Sequence, residues 1–311
     1  MIGPSHILFV TSGVVEDGGT LAAALKLSRS NGARITVLVI CPPLPSNMVD
    51  YQEVYETGLR GQVSTRLEKA ASHVGVTLND LNLTMEIDNG YPPSPRVLQY
   101  AAAHECDLII KQADPVSDGH GFRSKDMVLV RKSKCPVALS RLTPEHTEGL
   151  RVGVAIDPEP VVDEGRKLSR NLLRAGRLLA ESFGGDMRVI SCWDYPFEDY
   201  LRRNPWFQVP QGDLSKILQG TQARHTAAMD ALIARAKISC PVFLDLLKGQ
   251  PEELIPKWVV RHKIDVLVLG SLERSAVSGL LIGSTSEDVL SQVGCSVLTL
   301  KPEGFVSPLR G

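Results

Sequence analysis

Hydrophobic positions in this chain alternate between short unbroken runs and longer stretches in which they recur every three or four residues. Runs at Ile7 to Val10, Arg34 to Cys41, Leu108 to Ile110 and Pro136 to Leu139 predict strands buried on both faces. Leu21, Leu25 and Leu27, with Ala22 to Ala24 between them, predict a first helix that Asn31-Gly32 should stop. Met48, Tyr51, Val54, Tyr55, Leu59, Val63, Leu67, Ala70 and Val74 trace one apolar stripe down a long second helix ending at Gly75. Leu81 to Ile87 alternates as a strand, and Val97 to His104 and Ser124 to Lys134 read as helices. A parallel connection needs a crossover helix, so this order predicts an open parallel α/β sheet of five strands with helices on both faces.

The order then repeats. Strands are expected at Arg151 to Asp157, Arg188 to Cys192, Val242 to Leu247, Asp265 to Leu269 and Ser296 to Leu300. Helices between them run through Leu168 to Phe183, from about Leu214 to Lys237, from Pro251 and from Ser284. Residues repeat as well as pattern. Gly90-x-Pro92 matches Gly249-x-Pro251, His104-x-x-Asp107 matches His262-x-x-Asp265, and Cys135-Pro-Val matches Cys295-Ser-Val. A chain of 311 residues, about twice a typical domain length, is therefore read as two copies of one domain, at 1–142 and 150–311. Thr143 to Gly149 is the linker. A histidine at the matched position, the end of each copy's third helix, is expected to cap carbonyls.

Composition narrows the function classes. Apolar residues make up 43% and charged residues 22%, with 34 basic against 35 acidic side chains. Such a chain can bury a core, and its near-zero net charge offers no field for nucleic acid or anionic lipid. No apolar run approaches the roughly 20 residues of a membrane helix, and the N-terminus carries no basic leader, so a cytoplasmic protein is expected. The six cysteines form no C-x-x-C pair and lie in or beside apolar runs, as free thiols in a reducing compartment do. Neither a P-loop, nor H-E-x-x-H, nor G-x-S-x-G occurs, so no catalytic residue and no metal site is assigned.

The most informative stretch is Gly270-Ser271-Leu-Glu273, followed after nine residues by Gly283-Ser284-Thr285. It joins a strand's carboxyl end to a helix start, where open α/β sheets bind ligands. Glycines there let backbone approach a phosphate, and the hydroxyls can donate to it. A flexible loop with an ordinary helix cap has the same pattern. The spacing resembles the G-x-x-G-x9-G-[S/T] nucleotide loop of the universal stress protein family, and the resemblance extends over both halves, as in that family's tandem E-type members. It implies a strand order of 3-2-1-4-5 in each half and ATP, with or without Mg²⁺, as ligand. It also implies a non-catalytic stress-response role, pairing of the two halves through their fifth strands, and room for a homodimer.

Carried onto this sequence, the resemblance implies that Asp157 contacts the nucleotide, Cys192 lies where backbone meets the adenine, and Gly270, Ser271, Gly283, Ser284 and Thr285 face ribose and phosphates. Glu273 stands where the family has its second glycine, and a carboxylate there repels a polyphosphate by roughly several kcal/mol unless a cation or Arg274 intervenes. The first copy departs further: Ser12 stands for Asp157, Gln112 for Gly270, and Arg123-Ser124 for Gly283-Ser284. It reads as a nucleotide-free copy, and the G-x-G within Asp118 to Phe122 does not open its helix. A separate feature is the aromatic insertion at 193–210, with Trp193, Tyr195, Phe197, Tyr200, Trp206 and Phe207. It reads either as a lid folded onto its own core or as a pocket for an apolar ligand or protein partner, and the latter makes the chain an interaction or carrier module.

Overall fold

The computed structural model describes residues 3–160, 163–203, 209–236, 242–271 and 283–305. The first half places β1 (His6–Thr11), α1 (Gly18–Asn31), β2 (Arg34–Cys41), α2 (Gln52–His73), β3 (Leu83–Asn89), α3 (Pro93–Ala103), β4 (Leu108–Gln112), α4 (Ser124–Lys132) and β5 (Val137–Ser140) in that order. The second half repeats it with β6 (Arg151–Ala155), α5 (Asp163–Ser182), β7 (Asp186–Trp193), a short α6 (Glu198–Arg203), α7 (Gln211–Ala236), β8 (Val242–Lys248), α8 (Pro251–Arg261), β9 (Val266–Gly270), α9 (Ser284–Gln292) and β10 (Ser296–Leu300).

All ten strands form one sheet, ordered β3-β2-β1-β4-β5-β10-β9-β6-β7-β8. Each half is parallel within itself in the order third, second, first, fourth, fifth. The halves meet where β5 and β10 run antiparallel, with Val297 opposite Leu139 and Thr299 opposite Val137. The Thr299 hydroxyl donates to the Val137 carbonyl at 3.2 Å, and the Arg141 amide to Ser296 Oγ at 2.9 Å. Central strands such as β1 and β10 are buried along their whole length, whereas β3, at one end of the sheet, alternates half-buried and exposed positions. One core layer lies under α1, α2, α5 and α7, and the other under α3, α4, α8 and α9.

The matched sequence segments have a shared structural job. Asp107 accepts the Ser5 and His6 amides at 2.8 and 3.0 Å, and Asp265 accepts the Arg151 amide at 2.8 Å. Each aspartate, at the entry of its fourth strand, thus pins the entry of its own half's first strand. Gly32 and Gly184 close α1 and α5 in the left-handed region, with φ of 63° and 62°. Their following amides reach back to Ser28 and Ala180, as a Schellman ending requires.

Two expectations need correction. The apolar stripe does not begin at Met48: Ser46–Tyr51 is a 3-10 turn, and Met48, Tyr51 and Val54 are exposed. Burial starts at Tyr55 and Leu59, where α2 comes to lie over α1 and the sheet. The matched histidines do not cap carbonyls with their rings either. His104 stacks on Tyr100 at 4.0 Å and His262 packs on Trp258 at 5.3 Å, because a residue four positions earlier shares the same helix face.

Candidate functional site

In a sheet of this order the crevice opens between first and fourth strands, where successive connections leave in opposite directions. In the second half β6 pairs β9 only from Val152–Val266 to Val154–Val268. In the first half β1 pairs β4 one position further, to Val10–Lys111. The β6–β9 ladder therefore stops one pair sooner, with Asp157 following β6 on one side and Gly270 ending β9 on the other.

Asp157 is exposed; its Oδ1 accepts the Glu159 amide at 3.0 Å and its carbonyl accepts the Ser169 hydroxyl of α5 at 2.8 Å. Gly270 ends β9 against α5, and a Cβ there would lie 2.8 Å from Leu168. Its carbonyl accepts the Ser286 hydroxyl at 2.7 Å, which ties the strand's end to the first turn of α9. Gly283 stands at the N-cap without a side-chain cap bond, Ser284 is exposed and Thr285 half-buried. Cys192, half-buried near the end of β7, has its thiol pushed up to about 12 by burial and then by Glu252. Ser271 is buried, and both its amide and its hydroxyl point to the Leu300 carbonyl, at 2.9 and 3.3 Å. Glu273, Arg274, Trp206 and Phe207 lie outside the described residues.

A side-chain chain that spacing does not reveal lies beside this crevice. Buried His225 of α7 bonds Ser191 Oγ through Nε2 at 2.9 Å and Glu159 through Nδ1 at 3.2 Å, while Arg224 holds the other Glu159 oxygen at 3.1 Å. Ser191 is 1% exposed and donates to the Ile156 carbonyl at 2.8 Å, so the arrangement braces the exits of β6 and β7 and presents no nucleophile. Its members lie more than 30 residues apart in sequence, and only a strand-end serine and a polar break in a helix's apolar face hint at it.

The first crevice is filled by its own side chains. Thr20 of α1 donates to Gln112, the residue in the place of Gly270. Lys111 reaches Asp126 at 2.9 Å and Asp114 at 2.7 Å, and the Asp114 amide donates to Asp126 at 2.8 Å. Asp126 is fully buried at the position matching Ser286, and burial pushes its carboxyl up, against the pull of Lys111. Buried Asp17 is likewise raised, mainly by burial. Three acids thus stand where a phosphate would need donors. The G-x-G of this half has another use: Gly121 donates its amide to Val293 at 3.1 Å, and His120 bonds the Gln292 carbonyl at 3.0 Å, so the loop seats on the end of α9.

The universal stress protein family model matches residues 4–141 and again 151–301. The chain belongs to the universal stress protein family. It carries two of the family's domains in tandem, and a full-length relative agrees. Universal stress protein E of Photorhabdus laumondii is 23% identical over 320 residues, covering 100% of this chain and 99% of its own. Among solved structures, a functionally unknown protein from Pseudomonas aeruginosa PAO1 superposes with a TM-score of 0.74 at 21% identity, covering 97% of this chain and 94% of that one. A universal stress protein from Archaeoglobus fulgidus DSM 4304 superposes at 0.60 and 17% identity, covering 96% and 98%. These two likenesses establish the fold, and the family match establishes a stress-response protein.

Proposed function

We propose that this universal stress protein holds an adenine nucleotide, ATP with Mg²⁺ as the expected form, in the crevice between β6 and β9 without turning it over. The first half serves as its fixed structural partner, and the protein acts in the cytoplasm. The observation that carries this reading is the contrast between the two crevices. One is lined by Gly270, Gly283 and two hydroxyl residues at a helix start, where oriented amides and the dipole favour an anion. The other is occupied by Gln112 and three buried or half-buried acids. The non-catalytic part is supported by the burial of Ser191 and His225, whose polar atoms are bonded to each other, to the Ile156 carbonyl and to Glu159.

Calorimetric titration with ATP and Mg²⁺ tests the proposal. Saturable binding by the wild type and at least a tenfold loss in Gly283→Asp are expected; no heat in the wild type overturns it. The exposed rings of Phe197 and Tyr200 favour a second reading, in which the insertion receives an apolar ligand or partner. Binding of a hydrophobic dye that disappears in Phe197→Ser and persists in Gly283→Asp distinguishes it.

A further inference from the structure

An open depression of about 360 Å³ lies between the halves, on the side of the second half opposite its crevice, at the entries of β9 and β10. Its polar wall is basic: His120 and Arg141 come from the first half, His146 from the linker, and Lys263 from the turn after α8. One acid, Asp265, faces it, and that carboxylate is already shared between the Arg151 amide and His146, 3.2 Å away. Leu142, Val259 and Ile264 supply an apolar flank.

Arg141 is the centre of this wall. Its guanidinium stacks on the Phe122 ring at 4.5 Å and donates to three carbonyls, those of Gly119, Gly121 and Val293. Among the described residues neither Arg141 nor Lys263 has a carboxylate within ion-pair distance. A half-buried guanidinium met only by carbonyl dipoles keeps its charge uncompensated, and near a protein surface an anion beside it is attracted more strongly than it would be in bulk water.

The pseudo-symmetric place in the first half lacks these features. Glu105 occupies the position of Lys263, in the same left-handed conformation (φ of 51° and 50°). Lys134 stands where Gly294 does, and Gly294 admits the Gly119 carbonyl and the His120 ring, 3.3 and 3.4 Å from where a Cβ would lie. Asp107 is closed over by the Ser5 hydroxyl at 2.6 Å, whereas Asp265 opens to the linker. The second half thus carries a lysine and a glycine, and the linker a histidine, around this depression.

We propose that this depression is a binding site for a small oxyanion, a phosphate or carboxylate group carried on a short apolar body, held by Arg141 and Lys263 with His120 and His146 at its rim. The site is separate from the nucleotide crevice and is built from both halves, so its ligand stabilises their mutual packing.

Thermal melts and calorimetry with inorganic phosphate, benzoate and phenyl phosphate test it on the full chain. A ligand at tenfold excess over its Kd is expected to raise Tm by about 2–4 °C. Phenyl phosphate should bind more tightly than inorganic phosphate because of the apolar flank, and benzoate binding shows that a carboxylate is accepted. Lys263→Glu, which installs the first half's residue type, should lose at least tenfold in affinity, and Gly283→Asp should lose none. Arg141→Gln adds a second reading where it folds; Lys263→Glu, at an exposed turn, decides alone where it does not. No binding of any of the three anions, or binding unchanged by Lys263→Glu, overturns the proposal.

Discussion

Thr20 Oγ1 donates a hydrogen bond to Gln112 Oε1 across the opening between α1 and β4, and thereby closes the first half's crevice with a neutral side chain. A nucleotide would have to displace this bond and then meet Asp114, Asp126 and Asp17. Titration of the wild type should therefore give about one nucleotide per chain. Gln112→Gly should leave that ratio unchanged, because removing the bond does not remove the acids. A ratio near two in either protein contradicts the asymmetry.

Lys111 and Asp126 form an ion pair at 2.9 Å in which the carboxylate is fully buried. Breaking a buried pair from one side strands a charge, so Lys111→Met should cost about 3–5 kcal/mol of unfolding free energy in urea. Lys111→Met combined with Asp126→Asn should recover at least half of the loss. Additive losses would mean that the two side chains are not coupled.

Gly121 has a φ of 70°, and a Cβ on it would lie 2.7 Å from the Ser291 carbonyl oxygen. Gly121→Ala should destabilise by about 1–3 kcal/mol through backbone strain and overpacking. ATP affinity should stay within twofold of the wild type, because this glycine serves the contact between halves. A selective loss of nucleotide with normal stability would return the G-x-G to phosphate binding.

Lys301 donates to the Arg131 carbonyl at 3.3 Å, and burial holds its pKa down at about 8, with Glu287 pulling upward. The unfolded lysine titrates near 10.4. Between these values the unfolded chain binds a proton that the folded chain does not, so stability from this group rises with pH through that window. Lys301→Met should be more stable than the wild type at pH 7, and its Tm advantage should shrink by pH 9.5. An advantage that is constant with pH would show that the folded lysine is not depressed.

Elements with strong periodicity were legible in the sequence: β1, β2, α1, α5 and the strands that flank the junction follow from unbroken apolar runs and glycine stops. The repeat was legible too, through Asp107 and Asp265, whose shared role is to anchor the first strands. Exposure at Met48 and Val54 was not, because periodicity reports a stripe but not whether a neighbour reaches it. The short α6 has no buried residue and so leaves no apolar signature. In the candidate site, the glycines and hydroxyls of the second crevice are readable as a local spacing. The Ser191–His225–Glu159 brace and the Lys111–Asp126 pair are not, since each joins elements whose proximity only the fold creates. Ser271 shows the converse: it sits inside the motif, yet its hydroxyl turns into the sheet.

The β5–β10 ladder has one further consequence. Two separate copies that met along such an edge would come apart on dilution, and an altered copy would have to find a partner again each time. Joined through Thr143 to Gly149, the halves meet at an effective concentration fixed by the tether and indifferent to how much protein the cell makes. Neither half then has to remain a copy of its partner. That freedom lets one crevice hold acids where the other holds a glycine and hydroxyls, and lets a lysine and a glycine stand on one side of the seam alone.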